Sequence, residues 1–241
     1  MSLFVIADLH LSLGADKPMD VFSGWQDYVQ RLEENWRALV SPEDTVVIAG
    51  DISWAMKLED CQADFAFIHS LPGQKLLMKG NHDYWWTTRN KIDTFLAEKG
   101  FHSLRILHNC GYRVGNRAIC GTRGWLYNSE TPEDRKIVSR EAGRLLASIN
   151  AAKALGGELT AFLHYPPIYG DMECREILDI LADHHVADCY FGHIHGQYAA
   201  QKALTGEYHG IKMHLISCDY VGFRPVLVED GFREFPKNIY E

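Results

Sequence analysis

Five short apolar runs in this chain stop on the same kind of residue. LFVIA at 3–7 ends on Asp8, TVVIA at 45–49 on Gly50-Asp51, and KLLM at 75–78 leads through Lys79 and Gly80 to Asn81, His82 and Asp83. LTAFL at 159–163 ends on His164, and ADCYF at 187–191 on Gly192, His193 and His195. Apolar runs this short, bounded by turn residues, read as buried strands. Between them lie segments with helical spacing: 27–40, stopped by Ser41-Pro42, then 57–69, 87–99, 132–155 and 173–183. Glu133 and Asp134 stand near the start of the fourth, where they oppose the positive helix end. Further strands are predicted at 104–108 and 117–121. Alternation of this kind gives an α/β layering. Late in the chain, IKMHLISCDYV and RPVLVE predict antiparallel strands that close a sheet, because their connections look too short for crossover helices. No repeat, linker or low-complexity stretch divides residues 1–241, so one domain is expected.

The polar residues all fall at or just past the carboxyl ends of the predicted strands, the edge where open α/β sheets gather ligands. Taken one at a time they are ordinary. Asp8-Leu9-His10 is compatible with a capped turn and a packed imidazole, Asp51 with a turn, and Gly80-Asn81 with a tight turn. His193-Ile194-His195 says more, because an extended segment puts alternate side chains on one face. Together, Asp8, His10, Asp51, Asn81, His164, His193 and His195 form an oxygen and imidazole donor set without a thiolate, suited to hard or borderline divalent metals.

Charge and cysteine usage narrow the partners. Lys plus Arg number 24 and Asp plus Glu 32, and the resulting charge of -8 disfavours a broad grip on nucleic acid or anionic lipid. A small phosphorylated substrate stays compatible, since bound metal ions supply local positive charge. The opening MSLFVIADLH has no basic region of a secretory leader, and no apolar stretch reaches the ~18 residues of a membrane span. Six widely spaced cysteines without a C-x-x-C pair read as reduced interior residues of a cytoplasmic protein.

The ordered set D-L-H at 8–10, G-D at 50–51, G-N-H-D at 80–83, His164 and G-H-I-H at 192–195 resembles the calcineurin-like metallophosphoesterase family, from residue 5 to about 220. The resemblance implies a four-layer sandwich of two mixed β-sheets flanked by helices. It implies one divalent metal on Asp8, His10, Asp51 and His195, and a second on Asp51, Asn81, His164 and His193, with Asp51 bridging. Manganese is the first expectation and iron the second, with zinc, cobalt or nickel also compatible with the ligands. The implied reaction is hydrolysis of a phosphate ester by in-line attack of a metal-bridging hydroxide. His82 would then stabilise or protonate the leaving oxygen, with Asp83 holding its tautomer.

Other residues bear on the substrate. Tyr84, Trp85 and Trp86 read as helix packing, with Trp85 or Tyr84 lining the substrate entry as the other reading; Trp54, beside Asp51, is open in the same way between packing and stacking on a base or an aromatic leaving group. In CGTRGWLYNSETPEDR, 120–135, Arg123 reads as a phosphate ligand or a surface residue, with Trp125 and Tyr127 as neighbouring wall, and 122–155 as a candidate cap. Relatives that dephosphorylate proteins carry G-D-x-V-D-R-G where this chain has GDISWAM, which argues against phosphoprotein substrates. A small phosphomonoester or phosphodiester is therefore expected. A nuclease or cyclic-nucleotide phosphodiesterase on the same site is the alternative, and a non-catalytic scaffold a third, opposed by the full ligand set.

Overall fold

A computed structural model of the chain describes residues 1–125 and 131–229. Its elements in order are β1 (Leu3–Ile6), α1 (Tyr28–Leu39), β2 (Thr45–Ile48), α2 (Gln62–Ser70), β3 (Gln74–Leu77), α3 (Arg89–Glu98), β4 (Leu104–Ile106), β5 (Tyr112–Val114), β6 (Arg117–Thr122), α4 (Pro132–Lys153) and β7 (Glu158–Leu163). They continue with β8 (Ile168–Tyr169), β9 (Met172–Glu173), α5 (Arg175–Asp183), β10 (Asp188–Phe191), α6 (Gln197–Ala200), β11 (Gly206–Tyr208), β12 (Ile211–Leu215) and β13 (Val226–Glu229). A short 3-10 turn, Leu58–Cys61, begins what the spacing predicts as one helix over 57–69.

β1 and β2 are buried along their whole length because both of their faces are covered. Phe4 and Ile6 of β1 join Val46 and Ile48 of β2 in a cluster packed by α1, α2 and α3. The alternate residues Leu3, Val5 and Val47 meet Phe162 and Tyr190 of the other sheet. Leu159, Ala161, Cys189 and Phe191 form a third cluster with Leu145 and Ile149 of α4 and with α5. The molecule is thus a helix, sheet, sheet, helix sandwich with the inter-sheet cluster at its centre.

The first sheet has the order β13-β1-β2-β3-β4 and the second β11-β12-β10-β7-β6-β5. Strands β1 to β4 run parallel, as do β6, β7, β10 and β12, with β13, β5 and β11 antiparallel at the edges. Parallel running brings the polar ends of the five runs to one edge of the sandwich. There the sheets are joined: the Ala7 amide donates to the Ile216 carbonyl at 3.0 Å, and the Cys218 amide to the Ala7 carbonyl at 3.0 Å.

Two expectations are corrected. The late strands do not close one sheet antiparallel: β12 runs parallel to β10, and β13 pairs antiparallel with β1 of the other sheet. The segment after β10, holding α6 and β11, is long enough to return the chain to the start of β12. The candidate cap at 122–155 is mostly α4, started by the Thr131 side chain accepting from the Asp134 amide at 3.0 Å with Pro132 in the first turn. That helix buries Val138, Leu145, Ile149 and Ala152 against the second sheet and serves as an outer layer rather than a lid.

Candidate metal centre

The carboxyl ends of the strands bend sharply before their polar side chains converge. Asp8, His10, Asp51 and His193 have φ of 61°, 46°, 48° and 73°, the left-handed region that Asp and His enter more readily than most residues. Non-glycine residues held there store strain, and such positions gather at functional sites. His193 is consequently not in extended backbone, and the expectation of both histidines on one strand face is replaced by divergence: His195 turns to Asp8 and His10, and His193 to Asp51 and His164.

Neighbouring glycines are explained by approach. A Cβ on Gly80 would collide with the backbone and carboxylate of Asp51, and one on Gly192 with Asp8 and Ala7. This is the physical content of the glycine in each motif.

Two groups of potential ligands result, Asp8 with His10 and His195, and Asp51 with His164 and His193, the ligand atoms of each group lying within 4.8 Å of one another. Asp51 stands between them, Oδ2 at 3.7 Å from His10 Nε2 and Oδ1 at 3.5 Å from His164 Nε2. Asn81 belongs with the second group, its Oδ1 2.6 Å from His164 Nε2 and 2.9 Å from His193 Nδ1. The sequence-expected ligands therefore all reach one locus.

The locus has the chemistry of a cation site. Asp8 is fully buried, and its Oδ1 has no hydrogen-bond partner among the described residues, an acceptor turned toward the imidazoles. His10 Nε2 and His195 Nε2 face each other at 3.2 Å, and a Lewis acid shared between them would take the place of the proton that His195 otherwise carries. Burial, with neighbouring histidines, holds His164 and His193 down at about 3 and His10 well below its ordinary value, so these imidazoles present lone pairs. Burial also pushes Asp8 up to about 7, and burial raises Asp51.

Asp219 is a residue that the motif reading did not single out. Its Oδ1 lies 2.9 Å from His195 Nδ1, and its Oδ2 accepts from the Gly196 amide at 2.8 Å. A carboxylate behind an imidazole fixes the tautomer that presents the other nitrogen to a metal. The one sequence signal was its place two residues after Ser217, where β12 runs out at the same edge.

Asp83 does not act as expected. Its Oδ1 accepts from the Ile52 amide at 2.8 Å, the Ser53 amide at 3.3 Å and Trp85 Nε1 at 2.9 Å, and its Oδ2 from the Gly80 amide at 2.7 Å. No bond among the described residues joins it to His82, so its work is to fold the turn that presents Asn81 and His82. Trp85 is buried beside it, packed edge-on against Phe65, which decides that ring for packing. His82 instead donates its amide to Asp51 Oδ1 at 2.8 Å, and its ring meets Trp54 at 4.6 Å and Tyr84 at 6.0 Å between centroids.

Trp54 stacks on His10 at 5.0 Å and forms, with Met19, Phe22 and Trp25, the apolar wall of a cavity of about 410 Å³ that reaches His10, His82 and His195. Arg123 lies on the other side: its carbonyl accepts from the His164 and Tyr165 amides at 3.2 and 2.8 Å, and its guanidinium covers the Trp125 ring at 4.7 Å. Trp125 packs on Tyr165 at 5.6 Å, and Tyr127 lies outside the described residues.

Comparison with known proteins agrees with this geometry. Residues 1–197 match the family described as calcineurin-like phosphoesterase, and the chain belongs to that family. It is accordingly a metallophosphoesterase, a hydrolase acting on ester bonds, with two candidate Asp/His metal sites. Its fold is similar to that of the protein of unknown function AQ665 from Aquifex aeolicus, at 16% identity and a TM-score of 0.52 over 94% of this chain and 95% of that one. The phosphopantetheinyl hydrolase PptH from Mycobacterium tuberculosis is similar at 14% identity and 0.52, over 97% and 98%. TT1561 of Thermus thermophilus is similar at 11% and 0.55, over 94% and 97%. At such identities these likenesses concern the fold alone. No curated protein matches the chain.

Proposed function

We propose that the protein hydrolyses a small phosphomonoester or phosphodiester at a dinuclear metal centre. The observation that carries this reading is Asp51, one carboxylate standing within 3.7 Å of an imidazole from each ligand group. In this reading Asp8, His10, Asp51 and His195 hold one divalent ion, and Asp51, Asn81, His164 and His193 the other. When bound, two such ions supply Lewis-acid activation of a phosphoryl oxygen and of water. The donor set has no thiolate, which favours manganese, then iron, over softer-site metals.

The chain's own residues do the rest. His82, anchored through its amide to Asp51, places its imidazole beside the centre to give a proton to the departing oxygen. The cavity walled by Met19, Phe22, Trp25 and Trp54 takes the alcohol portion and excludes water from it. Its aromatic lining favours a nucleoside-like or aromatic alcohol, so a nucleotide phosphodiester is the second reading. Free cysteines, all but Cys110 buried, fit a cytoplasmic protein acting on a small phosphorylated molecule. Among the described residues no helix is long and apolar enough to cross a membrane.

The test is a hydrolysis screen on manganese-loaded protein with p-nitrophenyl phosphate, its bis ester and thymidine p-nitrophenyl phosphate. Metal-dependent turnover of at least one is expected, and His82→Ala should lower kcat by ~10²- to 10⁴-fold at unchanged metal content. Full activity in that variant would remove His82 from the mechanism, and a chain inactive on every ester would refute the reading.

A further inference from the structure

We propose that Lys79, Arg123 and Arg144 form a subsite for a second phosphate of the substrate, a proposal that rests on the phosphohydrolase reading above. The cations belong to different elements. Lys79 follows β3 and directly precedes Gly80 and Asn81, Arg123 follows β6, and Arg144 projects from α4. Two of them hang on the backbone that carries the second ligand group: Arg123 through its hydrogen bond to the His164 amide, and Lys79 through its place beside Asn81.

Among the described residues the charges at this place do not balance. Glu141 is fully buried, and its Oε1 is shared between Arg144 Nη1 at 2.6 Å and Arg123 Nη2 at 3.5 Å, while its Oε2 accepts from Thr122 Oγ1 at 2.6 Å. One saturated carboxylate thus serves two guanidiniums. Lys79 is half-buried and makes no hydrogen bond or ion pair among the described residues. Arg123 is 15% exposed, and its Nε is buried with no hydrogen-bond partner among the described residues. A buried N–H donor without a partner points to a group that arrives from outside. The remaining valence has a direction as well. A free Nε–H beside an Nη is the side of the guanidinium that engages two oxygens of one phosphate.

An anion seated among the cations fills donor positions that Glu141 alone leaves open. The substrate class that follows is a phosphate ester with a second phosphate on the His164 side of the centre, away from the aromatic cavity over His10 and His195.

The test uses non-hydrolysable probes on the manganese-loaded full chain. Calorimetric titration compares propanediphosphonate with propylphosphonate, and the diphosphonate is expected to bind at least about tenfold more tightly. That ratio should fall toward unity in Lys79→Met and in Arg144→Met, two substitutions in different elements that guard against one variant failing to fold. A ratio near unity in the wild type overturns the proposal, and so does a ratio that survives both substitutions, since chelation of the metals alone would then explain it. Phosphonobutyrate binding as tightly as the diphosphonate overturns the assignment to phosphate. Because no probe is hydrolysed, the expected ratio in a chain without esterase activity would keep the subsite while refuting the proposed reaction.

Discussion

At Asp51 a single side chain serves both ligand groups, so its charge is the one whose removal is felt twice. Asp51→Asn is expected to lose metal from both sites, a larger loss than the ~10- to 100-fold in affinity that removing an outer partner costs. Asp219→Asn supplies that comparison, because it touches only the far nitrogen of His195. Metal content after equilibration with graded free manganese reads both variants. Protonation separates the two groups further. Burial lowers the His195 pKa, but the Asp219 hydrogen bond and the Asp8, Asp219 and Asp51 charges outweigh it and raise it to about 9. Below that value a cation must displace a proton from His195, and below about 7 another from Asp8, whereas His164 and His193 stay neutral down to about 3. Affinity at the Asp8, His10 and His195 group is therefore expected to fall with falling pH, by about tenfold per unit for each proton displaced. Asp51, which burial also raises, is common to both groups, so the other group, whose imidazoles stay neutral, should respond less; titration calorimetry at pH 6, 7.5 and 9 would resolve this, and equal slopes at both sites would contradict the assignment.

Strand ends are the elements that make this arrangement. Each parallel strand delivers its polar residue to one edge, and a left-handed residue or a glycine then turns the chain before the next helix. The turn after β3 shows how a buried polar side chain can be structural within a functional motif. Asp83 collects the amides of Gly80, Ile52 and Ser53 together with Trp85 Nε1, and burial, then Asp51, pushes its carboxyl up to about 7. Asp83→Asn replaces one acceptor oxygen with a donor that faces another donor, and should cost about 1–3 kcal/mol. Denaturant unfolding would measure that loss. The kcat of the fully metal-loaded variant should fall far less than that of His82→Ala, and an equal fall would restore Asp83 as its partner.

Across the whole molecule the centre draws Asp8, His10, Asp51 and Asn81 from the first sheet and His164, His193 and His195 from the second. Metal bound there would hold the sheets together, and we propose that the chain unfolds as one domain for that reason. Free manganese at 100 times its dissociation constant should add about 2.7 kcal/mol per site, observed as a single transition whose Tm drops on chelation. Two transitions, or a Tm indifferent to chelation, would speak against a centre shared between sheets. The sequence by itself determined a great deal of this. Apolar runs such as LFVIA and TVVIA mark strands buried on both faces, and their polar ends mark the candidate ligands, because burial and donor chemistry are properties of residue type and local order. What it could not determine were relations between segments far apart in the chain. Nothing near Asp83 announces that its acceptors are taken by Ile52 and Ser53, nor does anything near Asp219 announce His195, and the parallel pairing of β12 with β10 depends on a returning segment whose path is not local. Those contacts exist only once the two sheets have packed, since it is packing that brings the strand ends to one edge and decides which polar atom meets which.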